Sequence, residues 1–187
     1  MTPEEQHVAQ IKDRLEGLEE HACLLFACAC AERQWPIVKR VCLPPNCDKY
    51  VNLLRSNLDA IWDYLLGKGT FDSIVDISEE FSDTADTNPL CREIIVCHIF
   101  LADLVMSVSE SHSVYISARR NFYLIDVYLD LLDDIDGAPF EATGDGIELR
   151  RREQERQLAD LAILERDAPL IDRGMQLRNE SIGKTIL

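Results

Sequence analysis

Two runs of acidic residues are spaced so that their carboxylates would share one face of a helix. The members of the first run lie at i, i+4, i+7 and i+8: Asp126, Asp130, Asp133 and Asp134. Those of the second run lie at i, i+4, i+7 and i+11: Asp72, Asp76, Glu79 and Asp83. Because residues three or four apart point to the same side of a helix, each run predicts an acidic stripe. Such a stripe can hold a hard divalent cation through its oxygens, or it can bind a basic protein.

The sequence leaves three interpretations of these stripes open. All-helical, magnesium-dependent pyrophosphohydrolases carry acid motifs on two facing helices, and segments 79–83 and 130–134 resemble that pattern. Acids are also common on solvated helix faces, where mutual repulsion keeps a protein soluble. Between these two lies a docking face for a basic partner. The acids are accompanied by no glycine-rich phosphate loop, nucleotide fingerprint or placeable Ser-His-Asp arrangement, and no cofactor is indicated.

The seven cysteines predict buried thiols and not a disulfide framework or a metal site. Their number is odd, and no two have the close spacing of a zinc knuckle: Cys23, Cys28, Cys30, Cys42, Cys47, Cys91 and Cys97. Free cysteine packs as a small apolar side chain. The first five residues, 1–5, are acidic where a signal peptide is basic. Together these features predict free thiols in a reducing cytoplasm. His98 lies in an apolar run, which favours a hydrogen-bonded core histidine over a base.

The net charge of −15 is concentrated in the middle of the chain. Residues 1–68 carry ten acids and eight bases, a net −2, and residues 149–187 carry seven acids and eight bases, a net +1. Residues 69–148 carry seventeen acids and three bases, a net −14. An excess of this size repels nucleic acid and attracts basic proteins or divalent cations. The triplet Arg150-Arg151-Arg152 is expected to pair with acids of this middle region.

The apolar pattern predicts an all-α protein, with residues 1–187 forming a single domain of about seven helices. Three segments, 22–31, 94–106 and 122–132, are apolar on nearly every face and should form three central buried helices, with amphipathic helices around them. The apolar stretch 94–106 has thirteen residues, which is too few for a helix to cross a bilayer, so we expect no membrane contact.

Several residues mark where these helices begin and end. Thr2, Pro3 and Glu5 predict a capping box at the start of the first helix. Pro36 should end or kink the second helix, and Pro169 should kink or split the last one, predicted over 147–178. A short helix is predicted over 71–81, where it would carry the second acidic stripe. Three glycines and a proline predict a long loop over 137–146.

Three separated motifs resemble the bacterial YjaG-like family, a domain family of unknown function. The first runs from His21 through Phe26 and ends in Glu32-Arg33-Gln34-Trp35-Pro36. The second is Leu58-Asp59-Ala60-Ile61-Trp62-Asp63, and the third is the tail, from Glu165-Arg166-Asp167 to Glu180-Ser181-Ile182-Gly183. The resemblance covers most of the chain in order. It implies a small, all-helical cytoplasmic fold and no activity, and the chain departs from it at Pro169, where the family pattern has an unbroken helix.

The polar residues that carry this resemblance form a second group of candidates: Glu32, Arg33, Glu165, Arg166 and Asp167. The first two close a buried helix, and the other three are predicted to lie in the middle of the last helix. We expect a cross-helix ion-pair network that joins the two helices. The alternative is a small polar pocket.

These observations support three hypotheses of function. The first is a non-catalytic interaction protein that uses its acidic face to bind a basic protein, as immunity proteins and antitoxins bind basic toxins. The second is a magnesium-dependent, nucleotide pyrophosphohydrolase-like enzyme. The third is a homodimer, or another homo-oligomer, formed through an apolar stripe over 158–175.

Overall fold

The computed structural model describes residues 1–41, 48–78, 89–107, 113–136 and 144–182, and it describes side chains within these ranges except at 37–41, 48–50, 131–136 and 144–145. These residues form seven α-helices: α1 (Pro3–Leu15), α2 (Glu20–Val41), α3 (Asp48–Leu65), α4 (Pro89–Met106), α5 (Tyr115–Asp136), α6 (Gly144–Leu164) and α7 (Leu170–Ser181). The described ranges contain the 3-10 turn Phe71–Ser73 and no strand, which confirms the all-α prediction. No described helix is long and apolar enough to cross a membrane.

Helix α2 is the axis of the bundle. It packs against α3, α4, α5, α6 and α7, and these five helices form a closed ring around it, each in contact with the next. Residues 22–34 of α2 are buried without exception, because small side chains such as Ala27 and Cys28 let the neighbouring helices approach from every side. Complete burial of larger α2 side chains such as Leu25 and Phe26 contributes about 1.5–3 kcal/mol each. Helix α1 lies outside the ring, against α5 and α6.

The three apolar segments predicted to form the centre belong to α2, α4 and α5, which pack against one another. Their burial differs in extent. Helix α2 is covered on all sides, whereas α4 and α5 sit in the ring and each keep an outward edge, marked by the exposed residues Asp103 and Tyr123.

The helix boundaries follow the local signals in most places. The Thr2 hydroxyl accepts a hydrogen bond from the Glu5 amide while the Glu5 carboxylate accepts one from the Thr2 amide, which is the predicted capping box. Pro169 splits the predicted long helix into α6 and α7, because it has no amide hydrogen to continue the ladder. Pro36 does not end α2, which continues to Val41. Residues 137–143 of the predicted loop lie outside the described residues, and α6 begins at Gly144.

The prediction of a helix over 71–81 is wrong for the residues that the structure describes. The chain makes one 3-10 turn, Phe71–Ser73, and residues 74–77 that follow have no helical structure. Side chains bind the backbone here in place of a helical ladder. The Val75 amide donates to Asn57 Oδ1 at 2.9 Å, and the Ser78 amide donates to Asp76 Oδ1 at 2.9 Å. The remainder of the predicted helix, 79–81, lies outside the described residues.

Close packing of α7 on the bundle depends on Gly174. A Cβ atom at this position would lie 2.6 Å from Leu66 Cδ2 and 3.0 Å from Leu25 Cδ1, and both leucines are buried. Gly174→Ala gains about 1 kcal/mol of helix propensity but incurs about 1–3 kcal/mol of overpacking, so we expect a net loss of unfolding free energy in chemical denaturation. Gly17→Ala is the control: its Cβ would meet its nearest atom, the Arg14 carbonyl oxygen, at 3.5 Å. Equal stability of the two variants would contradict close packing at Gly174.

Candidate functional site

Arg33 is the centre of a polar network inside the bundle. Its side chain is 1% exposed. The guanidinium makes a two-pronged contact with Glu153 on α6, from Nε to Oε2 at 3.2 Å and from Nη2 to Oε1 at 3.0 Å, while Nη1 donates to Asp160 Oδ2. Burial alone would lower the pKa of Arg33, but the two carboxylates hold it well above its usual range. The group is therefore a fixed cation whose charge is compensated entirely by α6.

Amides complete the coordination of the buried Glu153 carboxylate. Its Oε1 atom accepts hydrogen bonds from Asn121 Nδ2 at 2.8 Å and from Gln157 Nε2 at 2.9 Å. Gln34 Nε2 donates to Asn121 Oδ1 at 2.7 Å, and His7 Nε2 lies 2.9 Å from Gln157 Oε1. We call these side chains, together with Arg33 and Asp160, the Arg33 network. It joins α2 to α1, α5 and α6.

A second network begins at Glu32, the residue before Arg33. Both Glu32 oxygens accept hydrogen bonds from Arg55, at 2.8 and 3.1 Å, and Oε2 also accepts one from Trp62 Nε1 at 3.1 Å. Arg55 also binds Asp59, and Arg178 of α7 reaches Asp59 at 2.7 Å. Burial would raise the pKa of Asp59, but the Arg55 and Arg178 guanidiniums hold it below its usual value. This Glu32 network, which also includes Asp63, joins α2 to α3 and α7.

The candidates Glu32 and Arg33 therefore take part in cross-helix ion pairs, as predicted, but their partners are not the predicted ones. Glu165, Arg166 and Asp167 lie in the turn between α6 and α7, not in mid-helix, and all three are exposed. Glu165 pairs with Arg14 of α1 at 2.5 Å, and Arg166 donates to Gln176 at 2.9 Å. The physical reason is Pro169, which ends the helix and turns these residues outward.

The Arg33 network leaves no room for a ligand among the described residues. Most of its polar atoms are engaged with one another, and Gln34 Oε1 is the buried exception. The cavity that adjoins Cys30 and Gln34 has a volume of about 10 Å³, which is the space of one water molecule at most. The arrangement fixes the relative positions of four helices and supplies no reacting group with access to solvent. It therefore supports the structural interpretation of Arg33 and not the polar pocket.

Sequence reasoning missed the α6 half of this network. Glu153, Gln157 and Asp160 lie at i, i+4 and i+7, between the buried residues Leu149 and Leu164. That spacing continues the apolar stripe of α6 with polar residues, which was the available signal for an inward polar face.

The first acidic stripe lies on α5, but only part of it is described. Asp126 pairs with Arg150 of α6 at 2.5 Å, as expected for that basic triplet, and Asp130 is exposed. The side chains of Asp133 and Asp134 lie outside the described residues. Tyr123, 55% exposed, precedes Asp126 by one turn, so an aromatic ring accompanies the carboxylates on the outer face of the helix.

The second acidic stripe does not exist as a helical face over the residues that the structure describes. Asp72 is exposed in the 3-10 turn, and the Asp76 carboxylate accepts hydrogen bonds from the Ser78 amide and hydroxyl. These two bonds lower the pKa of Asp76. Glu79 and Asp83 lie outside the described residues. Within the described ranges, no three His, Cys, Asp or Glu side chains are grouped so that they could hold a metal ion.

The cysteines give a mixed result. Cys23, Cys28, Cys30 and Cys97 are free and buried, as predicted, and burial raises the pKa of Cys23 to about 11 and that of Cys97 to about 12. These thiols are packing residues without nucleophilic character at neutral pH. The prediction of free thiols is wrong for Cys91, which is disulfide-bonded. An odd cysteine count does not exclude one bond, since a single pair still leaves the other thiols free.

His98 on α4 is 3% exposed and provides a test by pH. Burial, with a smaller contribution from the Arg55 charge, lowers the pKa of His98 to about 4. An unfolded histidine titrates near pH 6.5, so between about pH 6.5 and 4 the unfolded chain binds a proton that the folded chain does not. The free energy of unfolding should therefore decrease as the pH is lowered from about 6.5 to 4, by roughly 3 kcal/mol for this residue.

We expect His98→Leu to flatten the pH dependence of unfolding between about pH 6.5 and 4, as measured by denaturation at a series of pH values. The exposed His21 supplies the matched control, because His21→Leu should leave the curve unchanged. An unaltered slope in His98→Leu would show that this histidine is not buried in its neutral form.

Arg33→Ala tests the network itself. Removal of the guanidinium takes away the cation that both Glu153 and Asp160 contact in the core, so we expect a loss of about 3–5 kcal/mol in unfolding free energy. Arg14→Ala breaks the exposed pair with Glu165 and should cost about 0–1 kcal/mol. Equal melting temperatures for Arg33→Ala and the unmodified protein would refute the structural role.

The chain matches no family model, no curated protein and no solved structure. The resemblance to the YjaG-like family thus gains no support beyond the three quoted motifs and stays a prediction. The all-α bundle is established by the helices themselves.

Proposed function

We propose that this protein is a non-catalytic interaction protein that binds a basic protein partner through the outer face of α5. We define this α5 face as Tyr123, Asp126 and Asp130. The partner would be held chiefly by charge, as a basic toxin is held by an immunity protein or antitoxin.

The observation that carries this proposal is which regions of the chain the ion pairs join. Several ion pairs join residues 1–68 to residues 149–187: Arg14 pairs with Glu165, Arg33 with Glu153, and Arg173 with Glu19. Arg178 likewise pairs with Asp59 and Asp63. These bonds hold Arg14, Arg33, Arg173 and Arg178 inside the bundle or at the contacts between its helices. Residues 69–148 carry a net −14 in the sequence, and none of these four arginines pairs with an acid of that region.

Among the side chains that the structure describes, a few ion pairs do involve acids of the middle region, residues 69–148. Arg150 pairs with Asp126, Arg151 with Glu148, and Arg120 with Glu93. Arg120 itself belongs to the middle region, so this last pair leaves the regional sum unchanged. Charge of one sign over one part of a surface raises the association rate of oppositely charged proteins.

The α5 face also has the composition of a binding surface. Tyr123 is 55% exposed, and Ile147, near the start of α6, is 64% exposed. Large apolar and aromatic side chains give an interface its tight contacts, while carboxylates at the rim give orientation and salt dependence. Arg150 lies one helical turn after Ile147 and pairs with Asp126, which places the isoleucine beside the α5 face.

Self-association is the second candidate, favoured by one observation. Of the predicted stripe over 158–175, Leu161 and Leu164 are buried in the core, whereas Ile171 and Met175 are 49% and 41% exposed. The exposed part lies on α7, which is a different surface from the α5 face. A homodimer through α7 would therefore leave the acidic face open.

The proposed function can be tested by capture of partners on immobilised full-length protein from extracts of the producing cells. We expect a basic protein whose binding, remeasured with purified components, weakens at least about tenfold between low and high salt. Asp130→Asn should weaken binding further at low salt, because it removes one exposed charge of the α5 face.

The matched control is Asp167→Asn, which removes one exposed charge from the α6–α7 turn and should leave affinity unchanged. Equal effects of the two variants would show that net charge alone governs binding. A partner that is acidic, or that binds independently of salt, would refute the proposal.

A further inference from the structure

Two buried polar atoms that lack a hydrogen-bond partner among the described residues belong to side chains that line one cavity. They are Gln34 Oε1 on α2 and Arg120 Nε on α5. Gln34 is 1% exposed, and its amide nitrogen already donates to Asn121 Oδ1 at 2.7 Å. Arg120 uses Nη1 for the Glu93 carboxylate at 2.8 Å, which leaves the Nε hydrogen available. Buried polar atoms in proteins are nearly always paired, so each of the two is expected to have a partner.

The cavity lies where α2, α4 and α5 meet. Its volume is about 10 Å³, which is the least space that holds a water molecule. Ser117 and Cys97 are further polar members of its lining. Burial raises the pKa of Cys97, whereas hydrogen bonds from Gln34 and Arg120 act in the opposite direction. Both side chains therefore lie beside the same sulfur, and no hydrogen bond joins Gln34 Oε1 to Arg120 Nε.

The chemistry of the two atoms selects the ligand. A carbonyl oxygen only accepts hydrogen bonds, and the Nε–H group of an arginine only donates them. A cation in this cavity would be repelled by the Arg120 guanidinium, and an anion would be repelled by the partial negative charge on Gln34 Oε1. A neutral molecule that both donates and accepts, and that is no larger than water, satisfies both atoms. Water commonly bridges two polar groups that do not reach each other.

We propose that the cavity binds a single structural water molecule, which donates a hydrogen bond to Gln34 Oε1 and accepts one from Arg120 Nε. This water gives the Arg33 network a further connection. Gln34 belongs to the network through Asn121, and Arg120 holds Glu93 of α4. The direct bonds of the network join α2 to α1, α5 and α6, and the water extends it to α4. The site is internal, and it is independent of partner binding at the α5 face.

Nuclear magnetic resonance of the full-length protein tests the site directly. In rotating-frame spectra, a cross-peak that arises from a nearby bound water has the opposite sign to one that arises from hydrogen exchange. We expect such a water cross-peak at the Hε atom of Arg120. The Hε atom of Arg33 is the internal control and should show none, because it donates directly to Glu153, with 3.2 Å between Nε and Oε2. A resolved Arg120 Hε signal without the water cross-peak would overturn the proposal.

Three variants identify the source of this signal. Ala31→Val adds bulk at the lining of the cavity and should abolish the cross-peak at Arg120 Hε. Ala29→Val makes the same addition at a buried position of α2 outside the lining, so the cross-peak should persist. Ser117→Ala removes a hydroxyl whose hydrogen exchanges with solvent, and the cross-peak should persist here too. Persistence in Ala31→Val, or loss in Ser117→Ala, would show that an exchanging side chain and not a bound water gives the signal.

Discussion

A single buried guanidinium governs the architecture. Arg33 lies on the helix that forms the axis of the bundle, where water cannot solvate its charge. A cation in such a place is tolerated only if carboxylates and further hydrogen bonds surround it. Glu153 and Asp160 must therefore face inward on α6, and Asn121 and Gln157 must complete the coordination. The register of α5 and α6 against α2 follows from this requirement, since a rotation of either helix would leave buried charge without a partner.

The same requirement shapes the surface. Ion pairs between residues 1–68 and residues 149–187 lie in the core and at the contacts between helices, where opposite charges of the two regions neutralise each other. The Glu32 network repeats the pattern on the other side of α2, where Arg55 and Arg178 are shared among several carboxylates. Residues 69–148 contain seventeen acids and three bases, which gives this part of the chain its negative charge. Internal stability and a candidate recognition surface are thus two outcomes of one distribution of charge.

The described core contains no reacting group with access to solvent. The free thiols are buried with raised pKa values, and His98 is held neutral by burial. The polar groups around Arg33 are buried and bind chiefly one another. The described surface carries an exposed aromatic ring, Tyr123, beside carboxylates on α5. We propose that the exposed ring and the carboxylates of α5 serve in recognition of another protein.

Much of the fold could be predicted from local sequence patterns, because interactions between residues close in the sequence decide where these helices form and end. The capping box at Thr2, the split at Pro169 and the apolar runs of α2, α4 and α5 all depend on neighbours within a few residues. The predicted helix at 71–81 failed because Asn57, which is distant in the sequence, binds the Val75 amide. No local pattern contains that contact.

The sequence by itself determined the helical class, the places where most helices begin, and the concentration of acid in the middle of the chain. These properties follow from periodicity, capping and composition. Only the tertiary structure decided that Arg33 meets Glu153 and Asp160 and not the acids of the α6–α7 turn, and that Asp72 and Asp76 do not share a helical face. The reason is physical: the partner of a charge is chosen by which helices pack together, and the packing of α2 inside its ring is a property of the whole chain.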